Sequence, residues 1–335
     1  MAVETRATWG AGWIKGIGAK FAEIENQADK SYSLGINSAL GVEANEATRL
    51  FKTKKSDKAE ERTSNKTGVS YPTLTTEGQD YATDSRIPGY MTVYKFIKKT
   101  NSVEITEEEK DDREAILDKM DEAKDLNVSY KMEFDRSSFS LFTYAFTAQA
   151  SLPADLTFYS DGKPMCSILH PRKDGGTGQS NASATGIPFT ETNLEVGRQA
   201  LRRQLDDRGL PMAIGSGTTI LLVPDSLEKA AMVATKSTKR SGTANNDLNI
   251  YDGIVTVMST KWINSQNSGS DTAWYLIDSM YSPCIFYERS GIKTSVYVDN
   301  KNKNTVYDIS ARWQVGNKSW IGIWGSKGDG AAYSG

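Results

Sequence analysis

The chain has 335 residues, 24% charged and 38% hydrophobic, with a formal net charge of −2 and a mean hydropathy of −0.50. That length suits one large domain or two to three smaller ones, and the near-balanced charge argues against a general nucleic-acid binder, which carries a dominant excess of Lys and Arg. Two cysteines, Cys166 and Cys284, make no disulfide framework, the opening MAVETRATWGAGW lacks a basic region followed by an apolar run, and no 18-residue apolar window offers a membrane span, so a soluble protein made in a reducing cytoplasm is expected.

Residues 1–48 read as an extended arm with a helical piece. Phe21, Ile24 and Ala28 recur at helical spacing, but Gly16, Gly18, Gly35 and Gly41 interrupt them. Residues 49–66, RLFKTKKSDKAEERTSNK, carry seven basic and three acidic side chains and no apolar period after Phe51, the pattern of a solvated loop. Turn signals at Tyr71-Pro72 and Ile87-Pro88-Gly89 lead into residues 90–97, YMTVYKFI, whose aromatic and β-branched content predicts a strand. A long polar excursion that returns through a strand predicts a β-hairpin projecting from the body.

Thr106-Glu107-Glu108-Glu109 is a capping box, in which Thr106 caps the helix and Glu109 reaches back to its amide. Ile116, Met120, Ala123, Tyr130 and Phe134 follow on one stripe with Asn127 as a break, which predicts a helix to about residue 135, some 45 Å long at about 1.5 Å per residue. Residues 104–125 hold eleven acidic and four basic side chains, so the outer face is strongly negative.

Further on, Thr192-Asn193-Leu194-Glu195 reads as a second capping box, with Leu194, Gly197, Leu201 and Leu205 as the apolar stripe and Gly209 and Pro211 closing the helix. Residues 218–223, TTILLV, predict a buried strand ending at Pro224, and Asp225-Ser226-Leu227-Glu228 predicts a capped helix to about residue 234. A polar loop spans 235–247, and strands are expected at 253–259, 273–277 and 284–288. This helix–strand alternation predicts an α/β layer. In the tail, Tyr307, Ile309, Ala311, Trp313 and Val315 alternate with polar residues, the pattern of a half-buried strand of about eleven residues, and one more strand is expected around Trp320–Trp324.

Residues 161–183, DGKPMCSILHPRKDGGTGQSNAS, hold His170, the chain's single histidine, beside Cys166 and a glycine run. As a zinc site the pair would need Cys284 plus a carboxylate, and Pro164 and Pro171 prevent a helix from presenting it. As a nucleophile and base, Cys166 and His170 lack the glycine and serine context of a nucleophile elbow. Gly175-Gly176-Thr177-Gly178 and Gly215-Ser216-Gly217-Thr218 lack the GK[ST] of a phosphate-binding loop, and turn glycine is the simpler account. No catalytic residue, metal site or cofactor is expected. The acidic face around 107–125 reads either as a solvated surface or as the dock for a basic partner such as the chain's own 52–66 segment in a second copy.

The 161–183 stretch resembles the loop of major head proteins in the Mu-like group of tailed phages, where a Gly-Lys/Arg-Pro-hydrophobic segment runs into His-Pro, then glycines, then Ser-Asn. The block ETNLEVGRQALRRQLDDRGLPMAIGSGTTILLVPDSLEKAA at 191–231 is also similar, as are AWYLID at 273–278 and ARWQVGNKSWIGIWGS at 311–326. The likeness is best over 156–335, weaker over 49–150 and lacking in detail over 1–48. It implies an α+β chain with the Hong Kong 97 type capsid fold. Its parts would be an N-terminal arm at 1–48, an extended β-hairpin loop at 49–104, and a peripheral domain with a long spine helix at 105–189. An axial α/β domain at 190–300 and C-terminal strands returning to the peripheral domain at 301–335 would complete it.

The function so implied is a major capsid protein that self-assembles as hexamers and pentamers into an icosahedral virion head around double-stranded DNA, built in the host bacterial cytoplasm. Portal, scaffold and decoration or cement proteins are the further partners, and the packaged DNA is touched non-specifically. No long charged helical region precedes the body, so a fused scaffold is not expected. Candidate contacts between subunits are Lys52, Lys54, Lys55, Lys58, Arg62, Lys66, Tyr90, Tyr94 and Phe96, against Glu107, Glu108, Asp111, Asp118 and Asp121. Lys236, Lys239, Arg240, Asn245 and Asn246 are candidates for a loop at the capsomer centre. The rival readings are a nanocompartment shell of the same fold and, from another class, a Cys166/His170 hydrolase.

Overall fold

The computed structural model describes residues 46–66, 68–111, 115–237 and 249–333. The arm expected at 1–45 and most of the polar 235–247 loop therefore lie outside the described residues. Two sheets and one long helix organise the rest. The larger sheet has the order β1-β9-β10-β4, built from Lys52–Lys55 (β1), Ile97–Ile105 (β4), Cys284–Val298 (β9) and Thr305–Asn317 (β10), with Leu156–Thr157 (β5) added on β10. The second sheet has the order β11-β8-β6-β7, from Thr219–Pro224 (β6), Val255–Thr260 (β7), Trp274–Asp278 (β8) and Ile323–Ser326 (β11). Glu60–Lys66 (β2) and Pro88–Lys95 (β3) form a separate antiparallel hairpin.

Helix α1 spans Glu107–Asp111 and opens on the predicted capping box. The Thr106 amide donates to Glu109 Oε2 at 2.9 Å, and the Glu109 amide donates back to Thr106 Oγ1 at 3.2 Å. Helix α2 covers Ala115–Thr143, 29 residues or about 43 Å, and so ends eight residues beyond the expected stop, passing Asn127 without a break. The extension has an apolar cause. Phe139, Leu141 and Phe142 are fully buried, and Phe51 packs edge-on against Phe139 and Phe142 at 6.2 and 6.3 Å. One turn after another, Leu126, Tyr130 and Phe134 face the larger sheet, with Phe134 against Phe286 and Tyr130 edge-on to Trp313.

Several expectations are corrected. Residues 52–55, read as solvated loop, form an edge strand parallel to β9, because Leu50 and Phe51 are buried just before it. Its four exposed residues, KTKK, show no apolar alternation, and lysine on an outer strand discourages unwanted pairing. The strand read at 90–97 divides at Phe96 into β3 and β4. The second helix, α3 (Glu191–Arg202), is capped two residues earlier than predicted: Thr190, not Thr192, accepts from the Asn193 amide, and Leu205 lies beyond the helix. The helix after β6, α4 (Glu228–Lys236), follows a 3-10 turn at Asp225–Leu227 and has no side-chain cap, since Ser226 donates instead to the Asp271 carbonyl. Strand β9 runs ten residues past the expected 288, continuing as a hairpin with β10. Segment 190–300 thus supplies strands to both sheets, and segment 301–335 does so too through β10 and β11.

The core has two main parts. One lies between the larger sheet, α2 and the inner face of the second sheet. The other joins α3 and α4 to the second sheet around Leu194, Leu201, Leu221, Trp274 and Trp324. A small third cluster, Tyr94, Phe96, Ile285 and Tyr287, fastens the hairpin to β9.

Candidate interaction surfaces

The 161–183 stretch folds as a buried bracket. Chain reversal brings His170 opposite Gln179, with N–H···O bonds of 2.6 and 3.0 Å between their backbones. Gly175 turns the chain at φ +77°, and a Cβ at Gly178 would lie 2.9 Å from the His170 carbonyl oxygen, so the glycines serve the reversal. His170 is 1% exposed and stacks on Trp320 at 4.5 Å with the rings 7° apart. Its Nδ1 lies 2.6 Å from Asp161 Oδ2, and its Nε2 lies 2.9 Å from Asn181 Oδ1. The Asn181 amide group is oriented by its own bonds, donating to the Met165 carbonyl and accepting from the Ser167 amide. Both ring nitrogens are committed, and neither is left for Cys166. That thiol is fully buried, and desolvation pushes it far above its ordinary range. The histidine and cysteine have the surroundings of core residues rather than of a base and its nucleophile.

The bracket holds a second turn. Gln179 donates through Nε2 to the Leu205 and Asp206 carbonyls and accepts from the Leu205 amide at 2.9 Å. Within that turn Asp206 Oδ1 accepts from the Arg208 and Leu210 amides, both at 2.8 Å, and Gly209 sits at φ +77°. Arg208 leaves the turn toward the hairpin. It donates to Ser70 Oγ and the Ser85 carbonyl, both at 3.0 Å, and forks onto the Asp84 carboxylate, with 2.7 Å to Oδ1. The Asp84 carboxyl is held well below the usual carboxylate range, chiefly by Arg208. Nothing in the sequence singled Arg208 out; its turn, DDRGLP, signalled only the end of a helix.

The hairpin lies along its own subunit instead of projecting freely. Tyr94 is fully buried and donates to the Asn317 carbonyl at 2.8 Å; Thr92 Oγ1 accepts from the Ser160 amide at 3.1 Å; Tyr90 packs edge-on to Tyr159, with Lys173 Nζ 3.9 Å over its ring. Tyr94 and Phe96, expected at a contact between subunits, are taken up inside this one, and Tyr90 is half-buried. What overhangs is the tip. Leu74 and Tyr81 are 99% and 89% exposed, the most exposed large apolar side chains among the described residues.

Of the basic candidates, Lys52, Lys54 and Lys55 stand exposed on edge strand β1. Lys318 lies near them, its amine pushed down by desolvation and then by Lys54 and Lys52. Lys58 pairs with Glu61 at 3.6 Å and Arg62 with Glu60, which removes part of their charge locally. The Lys66 side chain lies outside the described residues. Of the acidic candidates, Glu107 and Glu108 are exposed, and the side chains of Asp111, Asp118 and Asp121 lie outside the described residues. Lys236 is exposed at the end of α4, whereas Lys239, Arg240, Asn245 and Asn246 lie outside the described residues. Beside the lysines an open groove of about 590 Å³ runs between the Asp206–Met212 turn and Met280–Pro283, with Lys52 and Lys318 on its rim. Among the described residues no helix is long and apolar enough to cross a membrane, and no group of three acidic, His or Cys side chains is placed to hold a metal.

Comparison with known proteins adds a separate line of support. A family model described as phage capsid protein matches residues 89–324. Among solved structures the chain is similar to that of Mycobacterium phage Patience, with 10% identity, 99% of this chain and 90% of that one covered, and a TM-score of 0.56. It is also similar to the mature capsid of bacteriophage PhiM1, with 14% identity, 87% and 89% covered, and a TM-score of 0.53. The capsid of an empty GTA particle gives 9% identity, 90% and 94% covered, and again 0.53. No curated protein matches the sequence.

Proposed function

This chain belongs to the phage capsid protein family, with the α+β fold of the Hong Kong 97 type and a structural part in the shell of the virion, and from that premise we propose how its subunits join. They assemble as hexamers and pentamers into a closed icosahedral head around double-stranded DNA, in the cytoplasm of the bacterial host. Portal and scaffold proteins, and a decoration protein, are the further partners. Placement in the Mu-like group rests on the 161–183 and 191–231 blocks. The shell role is non-enzymatic.

The observation that carries this reading is the exposed tip of an otherwise anchored hairpin. Leu74 and Tyr81 present apolar surface that this subunit does not cover, and a neighbouring copy supplies the cover. Charge sets the register. The lysines of β1 lie on an acidic neighbour surface such as that around Glu107 and Glu108. Each exposed pair is worth only about 0–1 kcal/mol and is screened by salt, but a shell repeats the contact at every subunit. A net charge of −2 suits a container wall, which would repel packaged DNA if strongly acidic and adhere to it if strongly basic.

Electron microscopy of the protein expressed alone and beside its neighbouring genes tests the assembly. Closed shells or rings of five and six are expected; a monomer under both conditions would overturn it. Reversing Lys54, Lys55 and Lys58 together to Glu tests the electrostatic part. Shell yield should fall at low salt, and unchanged yield would remove that part.

A further inference from the structure

Four anchors fasten the hairpin to its own subunit, in the order Tyr94, Thr92, Tyr90 and Asp84 toward the tip. The first three are contacts along one strand. The fourth differs, because Arg208 takes hold of both legs of the loop at once. It bonds Ser70 on the outgoing leg and Asp84 with Ser85 on the returning leg, and the Ser70 amide closes the bridge by donating to Asp84 Oδ2 at 2.6 Å. Beyond this crosspiece, residues 71–83 have no regular structure and, Thr75 apart, are exposed. Thirteen residues doubled back reach about 20 Å at roughly 3.3 Å per residue.

Arg208 is itself held from behind. Asp206 and Gly209 give its turn one conformation, Gln179 ties that turn to the His170 bracket, and a Cβ at Gly209 would come within 2.7 Å of the Arg172 guanidinium. Rigidity therefore runs from the buried His170 cluster through Gln179 to Arg208 and ends where the loop becomes free. A rotation of 10° at that point would displace a 20 Å tip by about 3.5 Å, the difference between meeting and missing a neighbour's contact.

We propose that Arg208 is a positioning residue for assembly: it fixes the point and narrows the angle at which the 71–83 tip leaves its subunit, so that Leu74 and Tyr81 reach a second copy within a narrow range of geometries and the shell closes at one diameter. This rests on the self-assembly reading above and adds to it a residue that decides how uniformly the shell is built. The lock requires a planar fork that bonds two legs, so a lysine, with a single ammonium, replaces it only in part.

The test uses the full chain, with spin labels at Leu74→Cys and Glu228→Cys; native Cys166 and Cys284 are buried and leave the labelling specific. In unassembled subunits the label-to-label distance should be narrowly distributed. Arg208→Ala should broaden it at least twofold, Arg208→Lys should broaden it less, and the thermal midpoint should stay within about 2 °C, since the partners Ser70, Asp84 and Ser85 lie on an exposed loop outside the core. The charge-exchanged pair Arg208→Asp with Asp84→Arg should narrow the distribution again. In assembly, Arg208→Ala should give shells of several diameters or open sheets, and the exchanged pair should restore one diameter. Arg208→Ala subunits that keep the narrow distance, or that close shells of the parent diameter, would overturn the proposal. Parent subunits that form no shell with any partner would count against self-assembly instead, and the distance measurement would still decide whether Arg208 holds the loop.

Discussion

Asp135 lies on the buried side of α2 and accepts from the Ala47 amide at 3.0 Å and the Glu46 amide at 3.3 Å, capping the 3-10 turn at which the described chain begins. Burial pushes its carboxyl up from 3.8 to about 6; the two amides pull it back only in part, and Glu46 nearby adds to the rise. Between those values the folded chain keeps a proton that the unfolded chain gives up. The stabilisation is therefore complete below pH 3.8 and is lost as pH rises through about 6, a change on the order of 1–3 kcal/mol. Glu133 acts in the opposite sense in a lower window. Desolvation raises it, but Arg136 and Lys99 outweigh burial and hold it down to about 2, so its stabilisation is present above 4.5 and is lost as pH falls toward 2. From pH 7 to pH 5 the parent protein should gain a few degrees in thermal midpoint relative to Asp135→Asn, on the order of 3 °C. Calorimetry at both pH values checks this, and parallel curves for the two proteins would refute it.

At the scale of elements, α2 is the stiff member against which the larger sheet packs. Phe134 is fully buried against Phe286 of the larger sheet, so Phe134→Ala should cost about 3–5 kcal/mol in urea denaturation. A loss under 1 kcal/mol would mean that the site collapses around the smaller side chain. The start of this helical region was legible in the sequence because Thr106 and Glu109 form a local, reciprocal cap. Its end was not, since the apolar residues that carry α2 to Thr143 become meaningful only beside Phe51 and Tyr275, distant in the chain. Strand β1 was hidden for a related reason: KTKK shows no alternation, and it is a strand only because Ile285 to Glu288 lie alongside. The half of β9 beyond Glu288 carries polar residues that read as loop until β10 pairs with them. For the interaction surfaces, the lysines followed from composition, whereas Leu74 and Tyr81 at the exposed tip carried no signal beyond the turns that flank them. Arg208 could not, because its partners lie 123 to 138 residues away.

Across the whole molecule, residues 320–333 complete parts made far earlier in the sequence. Strand β11 closes one edge of the second sheet, and Gly325 also bonds Asn181 and Ser183 of the bracket. Trp320 covers His170, Gln204 is bonded to the Ile323 carbonyl and the Gly322 amide, and the Tyr333 hydroxyl donates to the Cys166 carbonyl at 2.8 Å. A chain truncated after Asn317 would lack all of these and leave Trp274 without its neighbour Trp324. It should collect in the insoluble fraction, and recovery of a soluble, cooperatively unfolding fragment would refute that expectation. Contacts of such long range also make folding slow.

The dependence on residues 320–333 has a bearing on which copies can take part in a shell. Residues 320–333 must be in place before a subunit can finish its surface. Chains interrupted before Trp320 should not acquire the seat that Trp320 and β11 complete, and so should not compete for places in a shell. A copy lacking that segment should therefore be missing from assembled particles, which mixing truncated and full chains would check.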